Sequence, residues 1–297
     1  VNQDSASAKK LKKAGLVLLF VLPALFFYGT FNLLGIARTF YYSTMDWKGI
    51  SANKVFLGLS NYIAVAKDMN FWNALKNNMI LVIASMFIQM PGALLLALLI
   101  NSKLRFTKFF RTVFFMPMLL STVATGIMWI LFYDPNFGLM AKVIRALGLK
   151  MSTAFLQGST AMPAILFVIC WQFIPYYMII FKAGLSNVPE ELYEAAKIDG
   201  ANTWQCFTNI TLPMIIPTMR TSAVLQLVGS LKYFDLFYVM MGGAPNTSTE
   251  LMATYMYKKG FTEFQMGYAS TIAAYMFLIC FIFACCFLYA TSRKGEN

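Results

Sequence analysis

The chain of 297 residues has no histidine, only 12 acidic residues and no glycine followed directly by lysine. Without histidine, the commonest general base and metal ligand is gone. Without Gly-Lys there is no G-x-x-x-x-G-K-[ST] loop, so this chain has no such cradle for nucleotide phosphates. Charge is scarce altogether: Asp, Glu, Lys and Arg make up 12% of residues, against about a quarter in soluble domains. Cysteine is also uninformative as a scaffold. Cys170, Cys280, Cys285 and Cys286 fall in apolar runs and Cys206 in a polar stretch, so neither a disulfide framework nor a metal site is expected.

Apolar length is abundant. Hydrophobic residues reach 59% and the mean hydropathy is +0.63. These values predict an all-α polytopic membrane protein forming a single transmembrane domain over 1–297. Six runs, at 16–36, 79–100, 112–133, 161–181, 219–241 and 268–289, are each long enough to cross about 30 Å of hydrocarbon at about 1.5 Å per residue. The first is longer than a signal-peptide core and no small-x-small site follows it, so it is read as a retained span. Residues 37–78 read as an ordered outer segment, with a short amphipathic helix near Phe71-Trp72-Asn73-Ala74-Leu75. Prolines at 23, 91, 117, 163 and 175, joined by Gly92, Gly126 and Gly229, predict packing irregularity or kinks around a polar cavity.

The net charge of +12 reflects topology rather than nucleic-acid binding. Basic residues cluster at Lys9, Lys10, Lys12 and Lys13 and again at Lys103, Arg105, Lys108 and Arg111. Short basic flanks face the cytoplasm. Both termini and the loop at 182–218 are therefore expected to face the cytoplasm.

That loop is polar and acidic in an otherwise apolar chain. From Ser186 it reads SNVPEELYEAAKIDGANTWQCFTNITLPMIIP. Two short helices and a bend are predicted. Asn187 is a candidate cap for the first, Pro189 suits its first turn, and Glu190 and Glu191 complement its dipole. Gly200 can take the left-handed conformation that stops it. Asn202 or Thr203 starts the second, which Pro213 limits. Leu192, Ala195 and Ala196 form a small apolar face that another surface can approach.

Inside the bilayer, Lys232 and Asp235 lie three apart in the fifth run, so a local pair on one helix face is expected. Gln226, Ser230, Tyr233 and Phe237 share one stripe by their 4-3-4 spacing. Such a stripe suits a sugar, which offers hydroxyls and an apolar face; it suits an interhelical seam equally. Gln89 and Gln172 are weaker candidates for the same path. Ala269 and Ala273 are read as a close-packing step only.

The spacing of Glu194-Ala195-Ala196, Gly200, Ile210 and Leu212-Pro213 resembles the EAA signature of the permease subunits of binding-protein-dependent ABC importers. Other segments resemble the carbohydrate, maltose-type branch: Leu57-Gly58-Leu59-Ser60-Asn61-Tyr62, Ile198-Asp199-Gly200-Ala201 with Trp204, and Gly242-Gly243-Ala244-Pro245 after Phe234-Asp235. Ala244 stands where a third glycine is common. The resemblance implies a type I importer permease fold with six transmembrane helices. It implies a second homologous permease subunit, commonly a different chain, two ATPase subunits that hold ATP and Mg, and an extracytoplasmic solute-binding protein. Glu194, Ala195, Ala196 and Gly200, with Leu192 and Asp199 beside them, would be the coupling positions. No catalysis or cofactor is expected in this chain. The solute is expected to be a di- or oligosaccharide, with acidic fragments and glycerol phosphate left open. An ion-coupled secondary transporter is the alternative, but it should show several intramembrane carboxylates or an inverted repeat. A membrane enzyme would need a catalytic constellation that the sequence lacks.

Overall fold

A computed structural model describes residues 18–51, 53–101, 107–148 and 153–292. The basic clusters at Lys9–Lys13 and Lys103–Arg105, and Arg293 and Lys294, lie outside the described residues. The chain forms two compact units. One comprises the described part of 1–67 with 258–274, the other 68–257 with the described part of 275–297.

In the first unit, α1 (Leu18–Ser43) is apolar, yet the window that qualifies it as a span buries no residue. It continues past the expected end at 36. A two-strand antiparallel pair follows, β1 (Met45–Asp46) and β2 (Val55–Phe56), then α2 (Ser60–Lys67). These knit together through fully buried Ser43. The Asn61 amide donates to the Ser43 and Met45 carbonyls at 3.0 and 2.9 Å, and the Thr271 hydroxyl donates to the Ser43 carbonyl at 3.0 Å. Gly267 is pressed against the Met45 carbonyl where a Cβ has no room. The described part of 37–67, within the segment 37–78 expected to be ordered, is thus held by side-chain amides and hydroxyls as much as by apolar contact.

The second unit holds most of the membrane-crossing helix. α3 (Met69–Asn101) is 33 residues long. The stretch at Phe71–Leu75, expected as a separate short helix, is its first turns, started by Asp68, whose carboxylate accepts from the Asn70 amide. Apolarity alone marked only the part beyond 79. A π-helical turn, Ser85–Gln89, interrupts α3 just before Pro91. A proline ring cannot donate and clashes with the carbonyl four residues back; a wider turn there relieves both faults.

The third run is not one straight span. α4 (Thr107–Leu119) and α5 (Thr122–Phe132) meet at an angle of 98°. Pro117 weakens the last turn of α4, and Ser121 is extended at φ −57°, ψ 137°. The Gln172 side chain donates to the Leu120 carbonyl at 3.3 Å, satisfying a group that the break frees. After the short α6 (Leu139–Ala146), α7 (Ala161–Ser186) runs through Pro175 without ending.

The loop helix α8 (Glu190–Ile198) leads by Asn202 into a helical turn at Thr203–Cys206. That turn does not stop at Pro213. It passes through a second π turn, Phe207–Thr211, directly into α9 (Leu212–Leu231). The same device therefore stands before Pro213 as before Pro91. The fifth run is broken as well: α9 ends at Leu231 and α10 (Asp235–Met240) starts anew. A short α11 (Met252–Tyr257) and the long α12 (Met266–Ser292) complete the chain. Among the described residues, five helices qualify as spans by length and composition, and the count is six if the bent α4–α5 pair is one span.

Among the described residues, two apolar clusters hold the second unit. Leu81, Ile165, Val168, Leu236, Phe237 and Leu251 form one. In the other, Ala93, Ala97, Phe181, Leu185 and Ile215 bring α3, α7 and α9 together. Gly126 lets α5 approach α10 closely: a Cβ there would meet a Val239 methyl at 2.7 Å. Between membrane helices, where lipid is as apolar as leucine, such close approach supplies much of the association energy.

Candidate functional site

The stretch Ser186–Thr211 is built by a chain of local caps. Asn187 closes α7 rather than opening α8; the residue before α8 is Pro189, whose fixed φ of −60° and ψ of 132° set the entry. Glu190 and Glu191 occupy the first turn, where carboxylates meet the positive end of the helix dipole. Gly200 has φ +79°. Around it, the Ala201 amide reaches back to the Ala196 carbonyl at 2.8 Å and the Gly200 amide to Lys197 at 3.1 Å. This is the left-handed double-bonded stop expected of a helix ended by glycine. The space where a Cβ would stand is empty, so the demand for glycine is one of backbone conformation. Asn202 and Gln205 then form a reciprocal cap, with side chain to backbone bonds of 2.9 and 2.8 Å.

One tertiary bond fixes this knuckle to the membrane helix: the Tyr193 and Thr211 hydroxyls lie 2.8 Å apart. Otherwise α8 buries nothing. Glu194, Ala195 and Asp199 are exposed, Ala196 is half-buried, and Leu192 is exposed. Ile198 and Trp204 are 87% and 70% exposed, larger apolar surfaces than Leu192 at 41%. Beside α8 lies a groove of about 810 Å³, walled by Leu95, Leu98, Leu185, Tyr193 and Phe207 with Trp204 at its edge. An exposed apolar face next to an apolar groove marks a protein interaction site.

The intramembrane candidates separate into four groups. Gln226, Ser230 and Tyr233 converge with Ser85 and Gln89 on a cavity of about 80 Å³ between α3, α7 and α9. Ser230 donates to Ser85 at 3.1 Å. Both polar atoms of Gln226 and the Tyr233 hydroxyl are buried without a partner among the described residues. At roughly 30 Å³ per water, the space suits two or three waters and is too small for a pyranose ring. Phe237 belongs elsewhere: it is fully buried in the apolar cluster, touching the group only through its ring contact with Tyr233 at 6.3 Å. The expected single stripe is thus cut by the helix break at 232–234. Gln172 caps the α4–α5 break. Lys232, in the 232–234 break, and Asp235, the first residue of α10, are both exposed and form no ion pair among the described residues.

Sequence reasoning passed over Asn78. Its amide donates to the carbonyls of Ser230 and Leu231 at 2.8 and 3.1 Å, and its carbonyl accepts from the Met252 amide at 2.9 Å. Asn77 similarly donates to Thr247 and Glu250 at 3.1 and 2.9 Å. These two residues tie off the end of α9 and the loop that follows. The available signal was a pair of amides at the mouth of an apolar run, where lipid offers no hydrogen bonds.

Residues 89–294 match the family model described as "Binding-protein-dependent transport system inner membrane component". A probable ABC transporter permease protein of Pyrococcus horikoshii is 37% identical over 287 residues, 95% of this chain and 97% of that one. A probable permease protein of a transport system for starch degradation products, from Thermoanaerobacterium thermosulfurigenes, is 32% identical over 93% of this chain and 94% of its own length. A solved bacterial alginate ABC transporter in complex with an alginate pentasaccharide-bound periplasmic protein aligns with a TM-score of 0.85 at 22% identity, covering 97% and 98% of the two chains.

Proposed function

The chain belongs to the inner-membrane components of binding-protein-dependent transport systems, and from that premise we propose that it forms half of the solute pathway of an ATP-driven sugar importer. The solute is a di- or oligosaccharide, a class supported by the starch-product permease and the alginate transporter among its relatives. A second, non-identical permease completes the pathway, two ATPase subunits holding ATP and Mg dock below, and a solute-binding protein delivers sugar from outside. Both termini face the cytoplasm. This subunit moves solute and performs no covalent chemistry.

The observation that carries the reading is α8: a capped acidic helix, pinned by Tyr193–Thr211, with its apolar residues turned outward. In the proposed cycle, closure of the ATPase dimer draws Glu194, Ala195, Ala196 and Gly200 inward, with Leu192 and Asp199 at the contact. The load passes through Tyr193 and Thr211 into α9, and the membrane helices switch as rigid bodies from inward-open to outward-open. Sugar then enters, and hydrolysis resets the state. Gln226, Ser230, Tyr233, Gln89 and Ser85 form the polar lining that meets sugar when the helices part. The support for this is the unpaired, buried polar atoms of Gln226 and Tyr233 among the described residues. An ion-gradient carrier needs a set of intramembrane carboxylates, whereas Asp235 stands exposed at a helix break.

Reconstitution with the ATPase and binding protein in proteoliposomes tests the proposal. Tyr233→Ala abolishes uptake while the complex still assembles. Unchanged uptake kinetics would take the lining out of the path, and uptake by this chain without ATP would end the importer reading.

A further inference from the structure

A second groove, of about 700 Å³, runs between α4 and the last turns of α7, and the transport cycle above makes no use of it. Arg111 and Lys182 stand in its lining. Lys182 is one turn before the end of α7 and Arg111 is in the second turn of α4, so both lie at the level where the chain leaves the membrane toward α8. Deeper along α4, Phe115, Met116 and Leu119 line the groove, and Ile179 faces it from α7. Arg111, Phe115 and Leu119 are spaced by four, so they share one helix face. Eight residues at about 1.5 Å each make an apolar slot roughly 12 Å long below the cations.

Among the described residues, no carboxylate pairs with Arg111 or Lys182. We propose that this groove holds one anionic phospholipid of the leaflet nearest α8. Its phosphate group sits between Arg111 and Lys182, and an acyl chain lies along Phe115, Met116 and Leu119. The order of chemistry along the groove, two cations at the rim and hydrocarbon beneath, is that of such a lipid read from headgroup to tail. A sugar does not fit this lining, whose one hydroxyl is that of Thr112. A protein partner would have to bury both cations, which is costly without carboxylates of its own. Two uncompensated positive charges favour a headgroup with net negative charge over a zwitterion.

The assembled transporter, in nanodiscs of about 70% phosphatidylcholine and 30% phosphatidylglycerol, provides the test; lipids retained on release are counted by native mass spectrometry, and no transport step enters the readout. Each surface cation contributes about fivefold to the affinity for anionic lipid. The wild type should therefore retain phosphatidylglycerol about thirtyfold more tightly than the double variant R111Q/K182Q. Met116→Trp, at a position 64% exposed, fills the slot without touching either charge; it should lose the lipid while keeping the unfolding midpoint and ATPase assembly. Equal retention of both lipids by the wild type overturns the proposal, as does undiminished phosphatidylglycerol retention by R111Q/K182Q. A photo-crosslinker at position 116 that labels the companion permease instead of lipid overturns it too.

Discussion

Gly200→Ala isolates the part of the proposed coupling stretch whose physics is best defined. Gly200 sits at φ +79°, a region that costs a residue with a Cβ roughly 1–2 kcal/mol. The Cβ itself would strike nothing within this chain, so the whole penalty falls on backbone conformation. Two bonds depend on that conformation, Ala201 to Ala196 and Gly200 to Lys197. If docking requires this helix ending, its population falls by about 5- to 30-fold, the equivalent of 1–2 kcal/mol. The apparent affinity for the ATPase falls by up to the same factor. Gly200→Asn is the control, because asparagine tolerates the left-handed region at less cost. The assay is titration of the permease pair with purified ATPase, followed by sugar uptake in proteoliposomes. Gly200→Ala should weaken docking severalfold and Gly200→Asn should recover most of it. Equal docking by Gly200→Ala and wild type would refute the conformational reasoning. Equal loss in both variants would also refute it, since the need for glycine would then be steric contact with the ATPase.

Three further perturbations follow from the geometry. Asn78→Ala removes three bonds to buried backbone groups; at about 0.6 kcal/mol per bond between membrane helices, the stability loss is roughly 2 kcal/mol, read as a lower unfolding midpoint of the purified complex. Gln172→Leu strips the cap from the Leu120 carbonyl and should lower the midpoint by less than Asn78→Ala with the KM for sugar unchanged; a raised KM would place Gln172 on the solute path. Tyr193→Phe and Thr211→Val each break the same hydroxyl pair, so the two losses should overlap, with a coupling of about 0.5–1.5 kcal/mol in a double-mutant cycle; simple additivity would mean the pair transmits nothing.

The residues alone determined the class, the long apolar helices and the two-helix knuckle at 186–211, because each depends on local physics. Twenty apolar residues demand a helix in lipid wherever they occur, and Gly200 with Asn202 and Gln205 stops and restarts a helix within a few residues. The straight third and fifth spans were another matter. Hydropathy sees the third and fifth runs as continuous, whereas at their breaks Gln172 and Asn78, 52 and 152 residues away, supply hydrogen bonds to the freed carbonyls. For the same reason, the stripe through Gln226, Ser230, Tyr233 and Phe237 could not be judged from spacing. Helical periodicity holds while the helix is unbroken, and only packing of α3, α7 and α9 decides that three of these residues share a small cavity while Phe237 joins the apolar core. The groove beside Arg111 and Lys182 is likewise a product of packing, since α4 and α7 bring together side chains 71 positions apart that no local pattern connects.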